Sequence, residues 1–293
     1  MPTGDIQFED VSSLTWLAAD DDGITNADGI QCLQALTLVN LTRNEIADLT
    51  PFSELTSLTV LNIHWNQISD LGPLAGLSGL TALRVDANAI WDLDPLAGLV
   101  NLEVLSLEYN AIGDLRPLSG MGSLTELHLS HNAIDDITVL SALTALTYLD
   151  LDENSIGDLI PLSGLTGLRG LGLSGNRISD LTALSGLLAL RTLDLRQNAI
   201  SDLDPLTPLT TLVELDLDDN AISDLTPLSG LTELTRLDLY SNAITDLTPL
   251  VANAGLGDGD IVDVRLNPID CTEQADNIQA LLDRGVSLSV DCP

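Results

Sequence analysis

The chain has 293 residues and is 45% apolar but only 3% aromatic, so its core must be aliphatic, with leucine dominant. Forty-four acidic residues stand against ten basic ones, every one of them arginine, for a net charge of −34. That charge excludes nucleic-acid binding by a basic surface and disfavours anionic membranes, and no run approaches the ~20 apolar residues of a membrane span.

Met1 to Asp5 carry neither the basic nor the apolar region of a signal peptide. Ile6 to Leu17 are expected to cover the open end of a leucine core, and residues 1–23 are taken as an N-terminal cap. Asp20, Asp21 and Asp22 before Gly23 invite a calcium loop, but such a loop needs alternating ligands and a distant Glu that this stretch lacks. Ile24 to Ile30 align with Ile46 to Phe52 and open the repeats as a degenerate first unit.

From there the chain repeats every 22 residues: Asn44, Asn66, Asn88, Asn110, Asn132, Asn154, Asn176, Asn198, Asn220 and Asn242 mark ten units in register. A Leu stands eight positions before each Asn, an Ile two after it, and an Asp four after it, from Asp48 to Asp246. Leu-x-Leu has a period of two, which predicts a short strand with one buried face; parallel stacking of such strands is the way leucines of one unit find cover. The Asn ends the strand at a sharp turn, where its amide supplies both donors and acceptors to stranded backbone groups. Asn66, Asn88, Asn110, Asn132 and Asn154 are thus assigned a structural role. Pro51, Pro73, Pro95, Pro117, Pro161, Pro205, Pro227 and Pro249 follow three residues after the Asp and fit the first position of a helical turn. Val139 and Ala183 replace it in two units. The Asp column could be a cation ladder; the preferred reading is that each Asp accepts backbone N–H bonds at the turn it precedes.

At the C-terminal end Asn267 follows Asn242 by 25 residues, so three residues are inserted around positions 254–259. Ile278, Leu281 and Leu282 have helical spacing, Gly285 is a stop, and Val286, Leu288 and Val290 alternate as a strand. Residues 271–293 are therefore read as a C-terminal cap behind repeats at 24–270. Cys271 and Cys292 bracket this cap, which suggests a disulfide worth on the order of 3 kcal/mol and an oxidising compartment. Two buried free thiols in a reducing compartment are the alternative. Cys32 is read as unpaired.

The unit Asn-x-Ile-x-Asp-Leu-x-Pro-Leu, sustained from about Ile24 to Ile269, resembles the internalin-type leucine-rich repeats of bacterial surface and secreted proteins. The resemblance implies an α/β repeat solenoid: a leucine-rich-repeat horseshoe with a parallel β-sheet on the concave face and short helical or 3-10 turns on the convex face. It also implies a scaffold that binds a protein along the concave face.

No catalytic spacing accompanies His64, His128 and His131, and the glycines from Gly164 to Gly172 belong to the repeat register rather than to a dinucleotide loop. His128 and Asp150 share a column on neighbouring units; cross-strand pairing explains them, and neither metal nor cofactor is expected. The outward positions between the strand leucines carry the functional signal. Val60, Trp65, Val104, Tyr109, His131 and Tyr148 form an apolar and aromatic strip, and Asp194, Asp216, Asp218, Asp219 and Asp238 an acidic one. Scarce aromatics gathered on an exposed face have the composition of a protein-binding hot spot. The expectation is a monomeric, non-enzymatic, extracellular or cell-surface recognition scaffold for a protein with a basic surface. Its rival is a structural spacer or self-assembling component of a surface layer, filament or multidomain array.

Overall fold

A computed structural model describes residues 12–292, so the expected cover over residues 6–17 lies outside the described residues up to position 11. The chain divides into two compact units, one ending at Ile134 and one beginning at Asp135. Both are leucine-rich-repeat solenoids made of the same turn of chain.

In the first unit the strands are β1 (Trp16–Ala18), β2 (Leu38–Asn40), β3 (Val60–Asn62), β4 (Ala82–Arg84), β5 (Val104–Ser106) and β6 (Glu126–His128). They pair in parallel in sequence order, each residue opposite the one 22 positions on, as Val60 lies between Leu38 and Ala82. β1 pairs with β2 in the same register, so the ladder already runs through residues read as cap. The second unit contains β7 (Tyr148–Asp150), β8 (Gly170–Gly172), β9 (Thr192–Asp194), β10 (Glu214–Asp216), β11 (Arg236–Asp238), β12 (Ile261–Asp263) and β13 (Ser287–Ser289), again parallel and in order.

One turn shows why the sequence folds this way. Leu58, Leu61, Ile63, Ile68, Leu71, Leu74 and Leu77 are all 0–1% exposed. Each is worth ~1.5–3 kcal/mol when buried, but only if neighbouring turns cover the two open sides. Asn66 then closes the strand. Its Nδ2 donates to the carbonyls of Ile63 (3.0 Å) and His64 (3.3 Å), and to Leu41 of the preceding turn (3.0 Å). Its Oδ1 accepts the Ile46 N–H at 2.9 Å, so one amide satisfies backbone on two turns. Asn88, Asn110, Asn132, Asn176, Asn198, Asn220 and Asn242 repeat the pattern, and Asn154 donates in the same way to Leu151 and Asp152.

The residue before each Asn is left-handed, which the sequence reading did not anticipate. Arg43, Trp65, Ala87, Tyr109, His131, Glu153, Gln197, Asp219 and Ser241 have φ between 49° and 57°, and Gly175 has 63°. A non-glycine residue there costs ~1–2 kcal/mol, and the Asn bonds on either side hold it in place.

After the Asn turn, the Asp of every unit accepts the N–H two residues on, at 2.7–2.9 Å. These carboxylates cap the 3-10 turns that follow, such as Thr50–Phe52 and Gly72–Leu74. Proline favours that turn without being required, since Thr138–Ala142 and Thr182–Leu184 form with Val139 and Ala183 in its place.

The inserted residues near the C-terminus are packed against the core. Helix α1 (Thr248–Ala252) replaces a 3-10 turn. Asn253 behind it is fully buried, donating to the Leu228 and Leu231 carbonyls at 3.0 and 3.1 Å. Gly255 passes so close to Thr232 that a Cβ would stand 2.0 Å from its carbonyl oxygen, so only glycine fits. Helix α2 (Ala275–Asp283) follows, Gly285 (φ 88°) ends it, and β13 extends the ladder from β12. Leu281 and Val286 are buried, whereas Leu282 faces solvent. Cys271 and Cys292 are disulfide-bonded, and Cys32 is a free, exposed thiol. Among the described residues no helix is long and apolar enough to cross a membrane.

Candidate binding face

The strand ladder turns one residue of each pair inward and the next outward. In the first unit the first outward column reads Trp16, Leu38, Val60, Ala82 and Val104 on five successive strands, with Trp16 65% exposed. Trp16 was missed from sequence because its segment was taken for a cap; counting 22 residues back from Leu38 would have found it. Val60 and Val104 are half-buried. Trp65 and Tyr109 are 58% and 52% exposed, lifted off the ladder by their left-handed backbone. Tyr109 stacks on His131 with centroids 4.0 Å apart and an angle of 17°. Trp65 lies two rungs from Tyr109, roughly 10 Å, with Ala87 between them. The strip is thus a Tyr–His pair and a separate Trp beside an apolar column.

Polar neighbours fix this face. His128 Nδ1 lies 3.4 Å from Glu108 Oε1, which holds the Glu108 carboxyl below its usual range. Asp86 accepts from the Ser106 hydroxyl at 2.5 Å and from the Glu108 N–H at 2.9 Å, with His64 Nδ1 at 3.7 Å. Serine, carboxylate and imidazole lie in that order, whereas nucleophile activation needs the imidazole in the middle.

In the second unit the face is acidic. Asp194, Asp216, Asp238 and Asp263 are register partners on successive strands. Asp194, Asp216 and Asp263 each accept the N–H two residues on, at 3.0–3.1 Å, so their carboxylates are held in place. Burial, then the charges of Asp194 and Asp238, push Asp216 up to about 6. Burial and Asp216 raise Asp218 to about 6, and burial raises Asp194. Burial and Asp150 lift Asp152 to about 7. Arginines partly neutralise the column: Arg196 Nε stands 3.4 Å from Asp194 and its Nη1 3.9 Å from Asp216, while Arg236 Nε donates to Asp238 at 2.7 Å.

The residues named from sequence therefore separate. Val60, Trp65, Val104, Tyr109 and His131 belong to the first unit. Tyr148 belongs to the second, where with Asp194, Asp216 and Asp238 it lines one trough of about 220 Å³; Asp218 lies outside that lining. The trough runs across the outward columns from β7 to β11; β8 adds Gly172, with Gly170 buried beside it under the Tyr148 ring. Sequence reasoning assigned these glycines to the repeat register alone; in the structure the Tyr148 ring and the Asp150 and Asp152 carboxylates close over them. It also passed over Asp152, Glu214 and Arg236, which line the same trough.

Comparisons with known proteins point one way. The model described as leucine-rich repeats in two copies matches residues 144–186, 166–208 and 210–252, and further leucine-rich-repeat models match 78–134, 101–156 and 54–72. An internalin (inlF) of Listeria monocytogenes is 31% identical, with a TM-score of 0.92 over 98% of this chain and 85% of that one. A leucine-rich-repeat protein of Leptospira interrogans is 21% identical, TM-score 0.63, over 92% of this chain and 82% of that one. The ectodomain of the Arabidopsis thaliana membrane receptor kinase GASSHO1/SCHENGEN3, solved in complex with Casparian strip integrity factor 2, shares the fold. It is 21% identical, TM-score 0.71, over 89% of this chain and 33% of that one. No curated protein matches the sequence.

Proposed function

Because this chain belongs to the internalin-type family of leucine-rich-repeat proteins, we propose that it is a non-enzymatic recognition scaffold that binds a protein through the outward columns of its strands. The observation that carries this reading is the exposure of Trp65 and Tyr109 at left-handed positions. Both large rings stand more than half in solvent, where the core of the folded chain gives them little burial. Exposed aromatics of this kind are the residues that most often anchor protein interfaces. The acidic columns and the net charge of −34 favour a partner with a basic surface. The Cys271–Cys292 disulfide favours an extracellular or cell-surface setting.

A second reading, the structural spacer, draws on Trp91 and Ile160, which are 66% and 71% exposed away from the strand columns. The two are separated by capture of extracellular proteins on the immobilised chain. Recognition predicts that Trp65→Ala and Tyr109→Ala each weaken capture by ~2 kcal/mol with an unchanged melting temperature, while Trp91→Ala has no effect. Loss confined to Trp91→Ala, or self-association into particles, supports the spacer instead.

A further inference from the structure

We propose that Arg84, with Asn62 beside it, is a subsite for one carboxylate side chain, Asp or Glu, of the protein partner. The subsite rests on the recognition reading above and adds an acidic residue to a partner whose surface is otherwise basic. Elsewhere in this chain an arginine with an aspartate two positions away pairs with it: Arg116 with Asp114, Arg196 with Asp194, Arg236 with Asp238 and Arg265 with Asp263. Arg84 has Asp86 at that offset, and Asp86 is already engaged. It accepts from the Ser106 hydroxyl at 2.5 Å and from the Glu108 N–H at 2.9 Å, and His64 Nδ1 stands 3.7 Å away. Among the described residues the Arg84 guanidinium finds neither an ion pair nor a hydrogen bond.

The neighbours leave this cation available. Arg84 is half-buried, its aliphatic stem on the sheet and its charged end in solvent. Asn62 is its register partner on β3, and the Asn62 Oδ1 is buried without a hydrogen-bond partner, so this amide is tied to nothing and its Nδ2 is free to donate. The rest of the column is engaged: Asn40 holds Asp20 and the Thr42 hydroxyl, and Ser106 holds Asp86. On its own turn Arg84 stands between Ala82 and Ala87, while the turns on either side bear Val60 with Trp65, and Val104 with Tyr109. A partner seated on those side chains excludes water from the guanidinium, where its pairing with a carboxylate through the planar fork is strongest. Asp86 and Glu108 stand nearby, but their own donors, the Ser106 hydroxyl, the Glu108 N–H and His128, lessen their repulsion of an incoming carboxylate.

The test is an NMR titration with acetyl-Leu-Glu-Leu-amide and, as a neutral isostere, acetyl-Leu-Gln-Leu-amide, at physiological salt. The glutamate peptide is expected to move the Arg84 Nε–H signal and the backbone amides of Asn62 and Arg84 saturably, and the glutamine peptide to leave the Nε–H in place. Arg84→Gln should weaken binding of the glutamate peptide by about tenfold or more, the usual worth of a charged hydrogen-bonded pair. Asn62→Asp should do the same, because it supplies Arg84 with a carboxylate from within the chain, as Asp194 does for Arg196. Arg177→Gln, which removes an exposed arginine outside the strand columns, should leave binding unchanged. Melting curves establish that the variants fold; if Asn62→Asp does not, Arg84→Gln decides. Equal movement by the two peptides overturns the subsite, as does binding of the glutamate peptide that survives Arg84→Gln or shifts Arg177 as far as Arg84. Either failure, with Trp65→Ala and Tyr109→Ala still weakening capture, removes the carboxylate subsite and leaves the recognition reading standing.

Discussion

At the scale of single residues, the left-handed position before each Asn is the feature that sequence reading missed. It was hard to see because Arg43, Trp65, Ala87, Tyr109 and Glu153 share no side-chain chemistry; what they share is a backbone imposed by the Asn on the next position. Gly175 alone hints at it. The column makes a paired prediction. Gly175→Ala should lower stability by ~1–2 kcal/mol, since a Cβ at φ 63° meets its own backbone and crowds Glu153, 2.6 Å away. Ala87→Asn should raise stability by up to ~1 kcal/mol, because Asn tolerates the left-handed region through local hydrogen bonds. Denaturant melts of the two variants check both signs; equal effects would mean that the turn does not hold its backbone as described. The Asn and Asp columns, by contrast, were legible, because each role needs one particular side chain at one fixed spacing.

At the scale of elements, strand, Asn turn and 3-10 turn could be read from the period alone, but the packing of the C-terminal insertion could not. Asn253 and Gly255 occur once each in their roles, so no repetition announces them. The cap that follows is held by Cys271–Cys292, a sequence separation of 21. Replacing both cysteines by Ser should cost on the order of 3 kcal/mol and loosen β13 first. Hydrogen exchange should quicken at the Val264 amide, which bonds the Ser289 carbonyl, and stay slow at Leu195. Uniform acceleration would show that the cap supports the whole ladder.

The acidic strands carry a pH signature as well. Asp152, Asp216 and Asp218 have folded pKa values raised to about 7, 6 and 6 from 3.8, so the folded chain holds more protons between about pH 4 and 7. Their contribution to stability is complete below the unfolded pKa and is lost as pH rises through the folded values. The turn carboxylates act in the opposite sense: Asp48, Asp114, Asp180 and Asp224 are lowered by hydrogen bonds to the residue two positions on, and their contribution is lost in acid. Melting temperature at constant ionic strength should therefore peak near pH 4, about the unfolded carboxylate value, and fall towards pH 8. A profile still rising at pH 8 would show that the ladder carboxylates are solvated rather than half-buried.

At the scale of the molecule, the solenoid was almost wholly legible, because ten equal periods over-determine it, whereas the candidate binding face was legible only as a set of columns. Sequence gives the column a residue occupies; exposure, stacking and the shape of the trough depend on neighbours one and two turns away. The measurement that bears most directly on recognition through the strand columns is a photo-cross-linking scan in the presence of extracellular proteins. A photoreactive phenylalanine analogue would be placed in turn at Tyr109, Tyr148, Trp91 and Ile160. Recognition by the strand columns predicts adducts to one protein from Tyr109 and Tyr148, and none from Trp91 or Ile160. Adducts formed only from Trp91 or Ile160 would contradict it.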